Sequence, residues 1–170
     1  MKKILLINII LFFSANLFSQ GFDITHLRAG VGFIYASGIN TTGITFNGSY
    51  KITDRWEGAV SFNHISEKNN ISWNLLDFDG HYVFYSDNDK FNAYGLAGMS
   101  ITMWKLTVPD VIIMGYTVPG YTSTGSNLGM NLGVGANYKL TDNLNIEPEM
   151  RYTFINGSYV RIGATLQYMF

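Results

Sequence analysis

Three short clusters carry the side chains best suited to chemistry. Asp77-x-Asp79-x-His81 sets two carboxylates and an imidazole at a spacing of two, and Glu147-x-Glu149-x-Arg151 repeats that spacing with a guanidinium. His64-Ile65-Ser66-Glu67 brings a base, a hydroxyl and an acid into one tetrapeptide. In an extended chain alternate residues point to the same side. The first cluster could then hold a metal ion, and the second offers the carboxylate pair that glycoside hydrolysis uses. The third has the residue types of a base-activated nucleophile, but one local run does not bring base and hydroxyl into hydrogen-bond reach. Absence of cysteine excludes disulfides, thiolate catalysis and Cys-based zinc sites.

What these clusters do depends on the elements that hold them. From Ile24 onward the apolar period is two. In Ser126–Leu140 one face carries Leu128, Met130, Leu132, Val134, Ala136, Tyr138 and Leu140. Its other face carries Asn127, Gly129, Asn131, Gly133, Gly135, Asn137 and Lys139, a pattern no helix produces. Alternation of the same kind predicts strands over Ile24–Tyr35, Thr42–Ile52, Trp56–Ile65, Ile71–Tyr85, Phe91–Trp104, Leu144–Phe154 and Val160–Phe170. Of these, Phe91–Trp104 is the least regular, being apolar or small on both sides. Pro148 cannot donate to a ladder, which predicts a bulge there.

Eight strands of mostly 10 to 15 residues are longer than those of soluble sheets and suit tilted strands crossing a bilayer. The connections alternate in character. Thr53-Asp54, Ser86–Lys90 and Thr141-Asp142 are short and polar, whereas Ala36–Thr41, Ser66–Asn70, Lys105–Thr124 and Asn156–Ser158 include the longer ones. Tight turns at one end and variable loops at the other predict an all-β chain: an eight-stranded antiparallel transmembrane up-and-down β-barrel. The short-turn end faces the periplasm. YKITDRW at Tyr50–Trp56 and YKLTDNL at Tyr138–Leu144 are then two of its hairpin turns, with aromatics at the interface.

The polar face carries Arg28, Lys51, Lys139, Arg151 and Arg161 against Glu57, Asp77, Asp79, Glu147 and Glu149, with His81 among them. Five charges of each sign would suit a packed, self-neutralising lumen. Gly30, Gly32, Gly129, Gly133 and Gly135 would leave room for the long side chains, since eight strands enclose only side chains. In this setting both carboxylate clusters read as lumenal pairing with Arg28, Arg151 or Arg161 rather than as metal or sugar chemistry. No metal and no cofactor is expected. A soluble lipocalin-like barrel would turn the apolar face inward, and it would leave the many glycines of the polar face without a function. Overall charge is nearly balanced, with 11 Lys+Arg and 12 Asp+Glu, so a nucleic-acid partner is not indicated.

Residues 1–20 have the pattern of a secretory signal peptide: Met1-Lys2-Lys3, an apolar run from Ile4 to Phe13, then small and polar residues, with cleavage expected after Ser19 or Gln20. Residues 21–170 form the barrel domain. The chain ends Arg161-x-Gly163-x-x-Leu166-x-Tyr168-x-Phe170. This ending resembles the C-terminal signal by which outer-membrane proteins engage the barrel-assembly machinery, with Gly163, Leu166, Tyr168 and Phe170 at its defining positions. Together with FNAYGLAG and GANYKLTDNL, it makes the chain similar to small barrels of the OmpA/OmpX type and to the outer membrane protein beta-barrel domain family. That resemblance implies residence among the lipids of a Gram-negative outer membrane and a non-enzymatic structural or adhesive role through extracellular loops. No peptidoglycan-binding domain is expected after Phe170. Some small barrels modify lipid A with His and Ser near the outer rim, which keeps His64 and Ser66 in view, and a narrow pore is a further alternative.

One connection stands out. Lys105–Thr124 contains Val108, Val111, Ile112, Ile113, Met114, Tyr116 and Tyr121, unusually apolar for a loop. A hairpin extending its flanking strands is the preferred reading, and a partner- or lipid-contacting surface is compatible with it.

Overall fold

A computed structural model describes residues 23–87, 90–113 and 116–170. The expected signal peptide lies outside these residues, as does Met114. A short 3₁₀ turn, Ile24–His26, precedes the first strand where the sequence predicts strand already. Asp23 caps this turn by accepting a hydrogen bond from the Thr25 amide at 3.0 Å. The strands that follow are β1 Leu27–Ala36, β2 Thr41–Lys51, β3 Trp56–Lys68, β4 Ile71–Asp87, β5 Phe91–Val108, β6 Val111–Ile113, β7 Tyr116–Val118, β8 Tyr121–Thr141, β9 Leu144–Phe154 and β10 Tyr159–Met169. All but β6 and β7 join in one closed antiparallel barrel, sealed where β1 pairs with β10, from Arg28 opposite Met169 to Ala36 opposite Arg161.

Side chains alternate across the wall, apart from the bulged positions. Phe33 is 75% exposed and Leu128 69%, both on the outside, whereas Arg161 is fully enclosed. An outer surface this apolar is stable in lipid and would aggregate in water. The soluble ligand-binding barrel is thereby excluded. At the turn end, rings pair on the outer surface: Trp56 with Tyr82 at 5.0 Å and Tyr168 with Phe170 at 5.2 Å between centroids.

Local expectations fare unevenly. The Pro148 bulge is absent. Its register with Ala164 of β10 is unbroken, and toward β8 the pairing simply lapses between Gly135–Glu149 and Tyr138–Ile146 without a shift. A proline that loses one ladder bond needs no extra residue when the neighbouring strand skips the same position. Bulges occur instead at Ile65/Lys68, Val83/Tyr85 and Lys139/Thr141. The two similar turns also differ. YKLTDNL turns through two residues between Thr141 and Leu144, whereas YKITDRW needs four, because β2 stops at Lys51 and β3 starts at Trp56. Thr53 Oγ1 closes the longer turn by accepting from the Trp56 and Arg55 amides at 3.1 and 3.3 Å.

Candidate functional site

Three layers fill the barrel from the loop end to the turn end. The outermost is apolar. Ile34, Ala36, Ile65, Leu75 and Tyr159 are buried together, with Trp73 packed on Tyr159 at 4.9 Å between rings. These residues occupy the inward parity of their strands, so the polar face of the sequence turns apolar at its outer end.

Below lies the first charged layer, centred on Asp77. Both terminal nitrogens of Arg161 donate to its two carboxylate oxygens, at 2.7 and 3.0 Å. Ser61, Asn63, Asn131 and Arg151 donate as well, at 3.1, 2.8, 3.1 and 3.3 Å. Arg151 also donates to Asp79 at 2.8 Å, and Asn131 reaches the same carboxylate at 3.0 Å. Bidentate pairing with further neutral donors is the geometry in which a buried ion pair recovers its desolvation cost. Gly133 lets β8 approach closely here, since a Cβ on it would fall 2.8 Å from Arg151 Cα.

The third layer is different. Glu147 accepts from Asn47 at 2.7 Å and Gln167 at 2.5 Å, both neutral, and makes no salt bridge among the described residues. Glu149 contacts Arg151. Tyr94 places its hydroxyl 2.8 Å from both Glu147 and Glu149, and its ring stacks on His81 at 4.4 Å and 8°. His81 is 2% exposed, and neither ring nitrogen has a hydrogen-bond partner. Toward the turns Arg28 contacts Glu57 and donates to Ser49 at 3.1 Å.

The structure thus brings together Arg28 with Glu57, and Asp77 and Asp79 with Arg151 and Arg161. It corrects the even balance of charges. Among the described residues Lys51 and Lys139 are ion-paired with Asp54 and Asp142 at 2.9 and 3.4 Å, in the adjoining turns, rather than with the lumenal acids. Lys51 holds the exposed Asp54 carboxyl below its usual range by hydrogen bond and charge. Among the described residues, five carboxylates then share the interior with three guanidiniums. Tyr94 was not anticipated, since the strand that carries it is small or apolar on both faces. A faint signal exists across the barrel wall: a Cβ on Gly135 would sit 2.5 Å from the Tyr94 ring.

A vestibule of about 570 Å³ opens at the turn end, with Lys51, Arg55, Lys90 and Lys139 around it and Asn137 and Asn145 in its wall. All its lining residues come from the turn half, and mid-barrel a void of about 20 Å³ lies beside Arg151 and Arg161. His64 faces outward, with Nδ1 2.8 Å from Asn74 Oδ1, its ladder partner, and Ser66 and Glu67 are exposed. At the loop end β5 and β8 continue pairing to Val108 opposite Tyr121, and β6 and β7 form a two-stranded tip above them. Val111, Ile112, Tyr116 and Tyr121 are exposed on this hairpin. At the C-terminus Leu166, Tyr168 and Phe170 face outward and Gly163 inward.

A family model for the outer membrane protein beta-barrel domain matches residues 6–170. The chain belongs to this family. It is located in the outer membrane. It is 30% identical over 100 residues to outer membrane protein PagN of Salmonella typhimurium, and this match spans 58% of the chain but only 40% of that relative's length. The N-terminal barrel domain of Pseudomonas aeruginosa OprF superposes with a TM-score of 0.64 at 16% identity, covering 84% of this chain and 96% of that one. Ail, the attachment invasion locus protein of Yersinia pestis, superposes with a TM-score of 0.55 at 17% identity over 84% and 99% of the two chains. Ail has also been solved in complex with the heparin analogue sucrose octasulfate. At these identities the two barrels share the fold.

Proposed function

We propose that this protein is a non-enzymatic outer-membrane scaffold with a filled lumen that meets an extracellular partner through the hairpin from Val108 to Tyr121. One observation carries the reading: a continuously paired extension of β5 and β8 carries exposed Val111, Ile112, Tyr116 and Tyr121 at its outer end. Exposed apolar clusters on otherwise polar loops mark contact surfaces, and the free edges of β6 and β7 offer backbone groups to an added strand. Lys105 and Asp110 are the hairpin's charges among the described residues. A sulfated polyanion of the kind seated on Ail would want a basic patch, so the partner suited to this hairpin is an apolar protein groove or an unpaired strand. The C-terminal Gly163, Leu166, Tyr168 and Phe170 serve recognition by the barrel-assembly machinery.

The test is a Gram-negative host displaying the barrel, with residues 109–120 replaced by a Gly-Ser turn. We expect unchanged heat-modifiable migration together with lost adherence to cultured epithelial cells. Equal adherence of both forms would contradict the proposal. The lipid-modifying alternative has its own check. Lipid A from cells expressing the barrel should keep all its acyl chains; loss of a chain that His64→Ala or Ser66→Ala abolishes would overturn the non-enzymatic reading.

A further inference from the structure

We propose that His81, Glu147 and Glu149, with the Tyr94 hydroxyl beside them, form a buried site for one divalent transition-metal ion. Glu57 is matched by Arg28, Asp77 by Arg161, and Arg151 is shared by Asp77, Asp79 and Glu149. This leaves two negative charges uncompensated among the described interior residues, and Glu147, 1% exposed, touches only neutral donors. An isolated buried carboxylate is costly until a proton or a bound cation neutralises it.

Hydrogen bonding makes the same point independently. A hydroxyl carries one hydrogen, yet Tyr94 lies 2.8 Å from both Glu147 Oε1 and Glu149 Oε1. It satisfies one of these oxygens at a time. His81, which contributes a donor atom to the same point, has no partner at Nδ1 or Nε2, and its Nε2 is 3.8 Å from Glu149 Oε1. One donor atom from each of the three residues falls within 4.8 Å of the others. Donors around a single zinc ion stand about 3.3 Å apart, given bonds of about 2.0–2.2 Å, so modest side-chain contraction closes the set. The outer oxygens are already oriented: Asn47 and Gln167 hold Glu147 Oε2, and Arg151 holds Glu149 Oε2. Bonds of this kind fix metal ligands in place. One imidazole with two carboxylates favours Zn²⁺ or a neighbouring first-row ion over Ca²⁺. A divalent ion also equals the surplus of two charges.

Zn²⁺ is the probe. The full barrel is refolded in detergent with and without Zn²⁺, passed over a chelating resin, and analysed for bound metal and by X-ray absorption. One Zn²⁺ per chain is expected, with a single imidazole and oxygen ligands in its shell, and stoichiometric retention should be lost in His81→Gln. Heat-modifiable migration verifies that the variant folds; if it does not, the wild-type absorption spectrum decides. A metal-free wild-type barrel would overturn the proposal and leave the surplus charge to protons. So would a shell without imidazole, or full retention in folded His81→Gln, since either would place the ion at a surface group.

Discussion

Two layers of the same lumen use the same residue types and end differently. Both carboxylate oxygens of Asp77 take at least two donors, and two guanidiniums share the load. Nearer the turns, Glu147 receives only neutral groups and His81 receives none. Both layers come from alternation on neighbouring strands, so patterning alone does not separate them. The difference lies in which cation reaches across. Arg151 and Arg161 are paired opposite each other on β9 and β10 and both lean toward Asp77. Lys51 and Lys139, which could have served the lower layer, are drawn into the turns by Asp54 and Asp142. The upper layer is a structural clamp, and the lower one is a place where charge is left over.

Breaking the clamp should have the largest effect. Asp77→Ala strands two buried guanidiniums and should cost about 3–5 kcal/mol, read as a lower urea midpoint for unfolding in lipid vesicles. A loss below about 1 kcal/mol would erase the contrast between layers. Gly135→Ala comes next, because its methyl would meet the Tyr94 ring in a packed wall; overpacking of this kind costs about 1–3 kcal/mol. Glu147→Gln sharpens the comparison by its sign. With divalent ions chelated, removing an unmatched buried charge should leave the urea midpoint unchanged or raise it by the equivalent of about 1 kcal/mol. A loss as large as that of Asp77→Ala would mean the lower layer is a clamp too. The smallest effect belongs to Asp54→Asn. The Asp54 carboxyl is held low by Lys51, so its contribution is present above the carboxylate's unfolded pKa and fades as pH falls through the lower, folded value. Both partners face solvent, and no measurable shift in midpoint is expected near neutral pH.

Much of this architecture is written in period-two patterning. The run from Leu128 to Leu140 fixes an outward and an inward face without a structure, and Arg28, Glu57, Asp77, Asp79, Glu147, Glu149, Arg151 and Arg161 all lie on the inward one. Partner choice is not written there, because it depends on register and on reach across the barrel. Tyr94 hid in a strand with no polar contrast between its faces. The apolar cap of Ile34, Ile65 and Leu75 hid for the opposite reason, since inward positions near the loops stop being polar. The length of the YKITDRW turn was masked by its likeness to YKLTDNL, although one Thr53 hydroxyl closes a wider reversal. Pro148 misled by a rule that holds for donors, whereas here the adjoining strand absorbs the missing bond without a bulge.

We propose that this barrel is sealed, its turn-end vestibule closed off from the loop end by the charged layers and the apolar cap. Planar-bilayer recording of the purified, refolded barrel tests it most directly. The filled lumen predicts a baseline without sustained unit conductance. Steady, reproducible single-channel steps from the folded wild-type protein would contradict it.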